Sequence, residues 1–359
     1  MDFNDVRLRY ESLRQEIDEA IGGVVTSGRY ILGPAVQRLE EEFARYCAAE
    51  EGVGVASGTN ALTLCLRAIG VRPGDEVLLP AISAAATAMA VTVMGAKPVF
   101  VDVSLDDFNI SSEQCLQRKS SRARAIIPVH LYGMPARLKD ISKAGLPIIE
   151  DAAQAHGSDA PWGRCGSFGA AAAFSFYPTK NLGTYGDGGM VVTSDTGIAG
   201  RVRLLRNYGQ REGYSSEVQG ENSRLDELHA AILHVQLRKL DEWNRRRRSI
   251  ARMYAEAFRE LPVRIQLETG KSNYHLFVIT TSQRDKLRAY LAEHSIPTAI
   301  HYPVPLHRQP AFAEFNQHQC PNADQICSRI LSLPMHAFLS DTDVGQVIEA
   351  ICGFFNRRI

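Results

Sequence analysis

No run in this 359-residue chain approaches the ~18–20 consecutive apolar residues of a membrane-crossing helix, so no helical membrane anchor is expected. Nor does the N-terminal stretch MDFNDVRLRYESLRQEIDEAI have the apolar centre of a secretion signal, being charged and amphipathic. No charge of either sign predominates. Lys and Arg number 40 and so do Asp and Glu, so no global field points to nucleic acid or acidic lipid. The one basic run, Arg245–Arg248, is expected on a helix, where four consecutive residues face all sides, with Asp241, Glu242 and Glu256 nearby. A solvated helix face accounts for it. The seven cysteines contain no CxxC pair, and their odd number and scatter argue against a disulfide framework or a metal site. Reduced thiols in a cytoplasmic protein fit better. No GxGxxG follows a first strand, which weakens a dinucleotide oxidoreductase, and there is no internal repeat or low-complexity segment.

What is present is a globular composition, 45% hydrophobic and 22% charged, on a chain long enough for two domains. Short, almost wholly apolar runs at Glu76–Pro80, Pro98–Val103, Ala125–Leu131, Pro147–Asp151, Ala171–Phe176 and Met190–Ser194 predict strands buried on both faces. Helical patterns at Thr59–Ile69, Ala84–Met94 and around Leu138–Ala144 lie between them, so the expected class is α/β with a mostly parallel sheet. From Leu225 to Leu261 a three-and-four spacing of apolar residues predicts one long helix, ended by Pro262. Beyond it a strand (His275–Thr281), a helix (Arg284–His294), a strand (Thr298–Tyr302) and a closing helix (Thr342–Phe355) suggest a smaller α+β domain. The expected division is a large domain over residues 1–245 and a small one over 246–359.

Two segments carry chemistry. IIEDAAQAHG ends a strand at Asp151, and FSFYPTKNLGTYGDGGMVVT places Lys180 between a strand and a loop holding Gly183, Gly186, Gly188 and Gly189. Ligands of parallel α/β sheets bind beyond the carboxyl ends of the strands, which is where both side chains are expected. A lysine that can hold an aldehyde as a Schiff base, with a carboxylate that keeps a pyridine nitrogen protonated, is what pyridoxal phosphate (PLP) chemistry requires. Ser57–Leu62 places Gly58 and Thr59 at a helix N-terminus suited to the phosphate, though an ordinary N-cap has the same appearance. Gln154, one turn beyond Asp151, is placed to reach the cofactor's phenolic oxygen, and Ser175 is a further phosphate donor.

These segments, together with SGRYILGPAVQRLEEEFARY, RPGDEVLLP, GAKPVFVDV, IPVHLYGMPA, RNYG, GENSRLDELHAAIL, IHYPVPLH and ILSLP, resemble the DegT/StrS family of PLP-dependent sugar-nucleotide aminotransferases over nearly the whole chain. The resemblance implies the aspartate-aminotransferase (type I) PLP fold and a homodimer with active sites shared across the interface. It implies Lys180 as the Schiff-base lysine, Asp151 as the partner of the pyridine nitrogen and Gln154 on the phenolic oxygen. Gly58, Thr59 and Ser175 match the phosphate cup, and Asn222 matches an asparagine lent to the neighbouring subunit's phosphate. Tyr30, His301 and Tyr302 fall where the family builds its sugar-nucleotide pocket, His301 reading equally well as a satisfied histidine at a strand end. L-Glutamate is the implied donor. The acceptor implied by KNLG…GDGG and IHYPVP is a dTDP-3-keto-6-deoxyhexose, with 4-keto and UDP- or GDP-linked sugars as alternatives. The chain departs from the family in two places: Ala84 stands where an aromatic residue stacks on the cofactor, and His229 where glutamine is common. A non-catalytic PLP-binding regulator is the rival class, and it has no need to keep Lys180, Asp151 and Gln154 together.

Overall fold

The computed structural model describes residues 1–211 and 213–356. Its centre is a mixed sheet made of two hydrogen-bonded parts. One is four-stranded, in the order Glu51–Val55, Gly189–Thr193, Ala171–Ser175 and Ile149–Asp151. The other holds Lys97–Val101, Glu76–Pro80 and Ala123–Ile126 in parallel. Parallel bridges Ile126–Ile148 and Val129–Asp151 join the two edge to edge. Gly189–Thr193 alone runs against both of its neighbours. The apolar runs are buried as expected: every residue of Glu76–Pro80 and of Gly189–Thr193 is buried, with helices covering both faces.

The strand Glu51–Val55 was not expected, because EGVGV has low strand propensity. Its glycines are there for close approach. A Cβ at Gly52 would sit 2.4 Å from the Glu40 carbonyl oxygen, and one at Gly54 would lie 3.0 Å from the Leu225 side chain. The expected single helix over 225–261 is two, Glu227–Leu237 and Leu240–Ala257. The Lys239 N–H turns back to the Gln236 carbonyl at 2.9 Å, and the three-residue step from Leu237 to Leu240 keeps the apolar spacing while the axis changes. The second helix runs through residue 245, and its far half packs on the small sheet.

That small sheet holds Arg264–Ile265, Phe277–Thr280 and Ile330–Leu333, all antiparallel, backed by helices Arg284–Glu293 and Asp341–Asn356. The expected strand over 298–302 is reduced to one bridge, Ala299 with Ser332, since Pro297 and Pro303 flank it and have no N–H to donate. The basic run is not a solvated face either. Arg247 is buried, donating to the carbonyls of Met335 (2.9 Å) and Tyr274 (3.4 Å), while Arg246 pairs with Asp341 at 2.8 Å. These arginines fasten the long helix to the segments around Tyr274, Met335 and Asp341.

Gly52→Ala is expected to lower stability by roughly 1–3 kcal/mol, the usual cost of overpacking, because the obstructing atom is backbone and cannot rotate away. Urea denaturation followed by circular dichroism measures it.

Candidate active site

The carboxyl ends of the strands collect the chemistry. Asp151 is the last residue of its strand and is buried. Its Oδ2 accepts from the Thr87 hydroxyl at 2.8 Å and its Oδ1 from the Ala153 N–H at 3.2 Å. Burial pushes its pKa up, while those two hydrogen bonds and the nearby Lys180 charge push it back down. Lys180 lies five residues beyond the strand Ala171–Ser175. Desolvation draws its ammonium from the ordinary 10.5 to about 8, with Asp151 opposing the fall. The lysine and aspartate expected to cooperate are therefore close enough to perturb one another.

The turn that carries Lys180 is held from the other end of the chain. Arg9, buried on the N-terminal helix Val6–Glu11, donates to the carbonyls of Lys180 (2.9 Å), Gly183 (3.2 Å) and Pro178 (3.3 Å) and to Gln236 Oε1 (3.5 Å). Asn4 adds a hydrogen bond to the Thr179 carbonyl at 3.1 Å. Burial among neutral acceptors lowers the Arg9 pKa to about 10, so the guanidinium stays charged at neutral pH. Nothing in the sequence near Lys180 announces this clamp, since its donor is 171 residues away.

Gln154 is oriented by its neighbours. The Tyr132 N–H donates to Gln154 Oε1 at 2.6 Å, which fixes that end as the acceptor, and Nε2 donates to the Tyr302 hydroxyl at 3.0 Å. Tyr132 reaches this position with φ +62°, a backbone conformation unusual for a tyrosine. Its own hydroxyl donates to the His301 carbonyl. Tyr302 is thus at the site, its hydroxyl pushed up to about 12 by burial. His301 is turned to Ser332, Nδ1 to Oγ 2.9 Å, with its pKa lowered by burial and by Lys180. The reading as a histidine satisfied by its own fold is the one this contact favours.

The end expected to take the phosphate is built from close-packed backbone. Ser57 caps the helix Gly58–Ala68, its hydroxyl accepting from the Asn60 N–H at 3.2 Å. The N–H groups of Gly58 and Thr59 have no intrahelical acceptor. A Cβ on Gly58 would stand 2.6 Å from Ser175 Cβ, and one on Gly189 would stand 2.4 Å from the Ser57 carbonyl carbon. Only glycine lets the two strand ends and this helix meet. Ser175 and Thr59 border the gap.

Asn222 lies apart, exposed, its side chain making no hydrogen bond among the described residues, though its backbone bridges Asn207. Tyr30 is also exposed, its hydroxyl 3.4 Å from the Val25 carbonyl oxygen, and no hydrogen bond ties it to Lys180 within one chain. Ala84 begins the helix Ala85–Thr92 without a ring to offer a cofactor. His229 packs on the glycine loop, where a Cβ at Gly186 would meet its ring at 2.9 Å. Thr87 and Arg9 were missed from the sequence. The signal for Thr87 was a hydroxyl in the otherwise apolar middle of that helix.

The residues fit PLP: a desolvated lysine, a carboxylate held by donors, an amide with its N–H end at the site, and a cradle any Cβ would fill. This fold and this site define a PLP-dependent aminotransferase of the type I fold. The chain belongs to the DegT/DnrJ/EryC1/StrS aminotransferase family, whose sequence profile matches residues 11–352. It is 44% identical over 358 residues to the dTDP-3-amino-3,4,6-trideoxy-alpha-D-glucose transaminase of Streptomyces venezuelae, covering 97% of this chain and 94% of that one. It is 42% identical over 355 residues to the UDP-N-acetyl-3-dehydro-alpha-D-glucosamine 3-aminotransferase of Acidithiobacillus ferrooxidans, covering 97% and 96%. The crystal structure of S. venezuelae DesV in complex with a ketimine intermediate matches with a TM-score of 0.97 at 43% identity, over 100% of this chain and 99% of that one.

A lysine is reactive as the neutral amine, so a lowered pKa moves its reactivity to lower pH. The rate at which apoenzyme captures PLP is expected to rise with pH, reach its midpoint near 8 and flatten above it, as read by the growth of visible absorption after rapid mixing.

Proposed function

We propose that this aminotransferase moves the amino group of L-glutamate to the keto carbon of a nucleotide-linked sugar. The favoured acceptor is a dTDP-3-keto-6-deoxyhexose, giving a dTDP-3-amino-3,6-dideoxyhexose. The observation that carries the reaction class is the desolvated Lys180 beside Asp151. Support for carbon 3 comes from the two relatives, whose names both place the new amine there although one sugar is dTDP-linked and the other UDP-linked. The second relative keeps a UDP-linked acceptor as the alternative.

In this reading PLP supplies an electron sink for the carbon that loses its proton. Lys180 holds the cofactor at rest. Its free amine would take the proton from the donor's α-carbon as a base and give it back as an acid; a pKa near 8 suits both tasks at neutral pH. Asp151 keeps the pyridine nitrogen positive. Gln154, with its oxygen engaged by Tyr132, presents N–H to the phenolic oxygen. Gly58, Thr59 and Ser175 take the phosphate, with backbone N–H groups at the helix start and the two hydroxyls as donors. Tyr302 lines the acceptor's side, with Tyr30 contributing at the rim, while His301 is held by Ser332.

The unit is a homodimer, in which Asn222 completes the partner's phosphate site. In support, the exposed apolar residues Met89 and Val93 border a cleft of about 800 Å³ that begins at Thr59. All seven cysteines are free, which supports the cytoplasm, and among the described residues no helix is long and apolar enough to cross a membrane. Light scattering on the purified protein is expected to give twice the chain mass, and a monomer would overturn the shared site.

Purified protein with PLP and L-glutamate is expected to aminate dTDP-3-keto-6-deoxyglucose and not its 4-keto isomer, read by mass spectrometry. Amination of the 4-keto sugar alone would retain the reaction class and reject the carbon assignment. Lys180→Ala is expected to abolish turnover with the fold intact. A Lys180→Ala protein that still turns over would reject the catalytic role of that lysine.

A further inference from the structure

We propose that Ser83 and Thr87 form a one-way hydroxyl relay that fixes the charge of Asp151 and thereby holds the cofactor's pyridine nitrogen protonated. The inference rests on the reading of Asp151 as that nitrogen's partner. Thr87 is wholly inaccessible and Ser83 nearly so. A hydroxyl buried in an apolar helix is costly unless it is hydrogen-bonded, and a helical threonine usually satisfies itself on the backbone carbonyl four residues earlier. Thr87 does otherwise. Its Oγ1 lies 2.8 Å from Asp151 Oδ2, a residue 64 positions away, and 2.7 Å from Ser83 Oγ.

The direction of the relay follows from proton counting. An ionised carboxylate only accepts, so the single hydroxyl proton of Thr87 goes to Asp151. Thr87 Oγ1 is then the acceptor in its contact with Ser83, and Ser83 donates. Each hydroxyl polarises the next, and the sum favours the charged carboxylate.

Few other groups serve Asp151 as steadily. Four neighbours face it or act on it: Lys180, His130, Tyr302 and the Ala153 N–H. Lys180 gains and loses its proton during the reaction proposed above, so its charge is not constant. His130 accepts from the Ala136 N–H at Nδ1 (2.9 Å), which places its proton on Nε2 toward Glu150 at 2.9 Å. Its ring is thereby committed to a different carboxylate, one that also accepts from the N–H groups of Gly166, Phe168 and Gly169. Tyr302 is engaged by Gln154. The hydroxyls of Thr87 and Ser83 are left as side-chain donors that no step of the reaction alters. They are positioning residues, acting through Asp151.

The test uses holoenzyme reconstituted with PLP labelled with 15N in the ring. The ring-nitrogen resonance is followed against pH, and the single-turnover rate with L-glutamate is measured alongside. Thr87→Val keeps the shape and removes the hydroxyl. It is expected to let the ring nitrogen lose its proton at lower pH than wild type, and to slow the glutamate half-reaction roughly 10- to 100-fold, the scale of one hydrogen bond to a charged group. Thr87→Ser is expected to restore both, and Ser83→Ala to shift both in the same direction by less. A Thr87→Val holoenzyme with wild-type nitrogen titration and rate overturns the relay. Should Thr87→Val fail to fold, Ser83→Ala decides, and wild-type behaviour there overturns it equally. Asp151→Asn separates the two levels of the argument. If it too titrates as wild type, the reading of Asp151 has failed; if it alone is altered, only the relay has failed.

Discussion

The structure depends on keeping two opposite charges out of water beyond the carboxyl ends of two parallel strands. Burial disfavours the charge on both Asp151 and Lys180, raising one pKa and lowering the other. Each keeps a usable charge because the other is near and because fixed dipoles surround the aspartate. The strand Ile149–Asp151 is therefore flanked on both sides by parallel partners, its backbone spent in the sheet and its last side chain free to face the site. Asp151 and Glu150 are adjacent and face opposite ways, as alternate residues of a strand must. One serves the site and the other is sequestered by His130 and three backbone N–H groups.

Around that pair the fold spends its polar groups on immobilising what must not move. Arg9 gathers the carbonyls of the lysine turn, Tyr132 fixes the sense of the Gln154 amide, and Thr87 occupies one oxygen of Asp151. The glycines do the complementary work by removing side chains, so that Ser57, Gly58, Ser175 and Gly189 can meet where a phosphate would be bound. Rigid placement of this kind lowers the reorganisation needed when charge develops on a substrate.

The legible part of the sequence was the part governed by local rules. Apolar runs gave the positions of six sheet strands to within a few residues, and the Lys180 and Asp151 segments announced themselves by residue type and by their place at strand ends. Where reading went astray, a local signal was ambiguous. The Leu237–Leu240 step keeps a helical spacing across a break, Gly52 and Gly54 conceal a strand that exists through packing, and the arginine run looks solvated until its partners are known.

By itself, then, the sequence determined the class of fold and the family, and singled out the lysine and carboxylate to which the chemistry is assigned, because burial periodicity and reactive residue types are written in contiguous residues. Only the tertiary structure decided what controls them: Arg9 beneath the lysine turn, the Ser83–Thr87 pair behind Asp151, and the engagement of His301 with Ser332. Those contacts join residues from 4 to 174 positions apart. A hydrogen bond depends on the meeting of two directions in space, and no spacing along the chain encodes that until the sheet and its helices have packed.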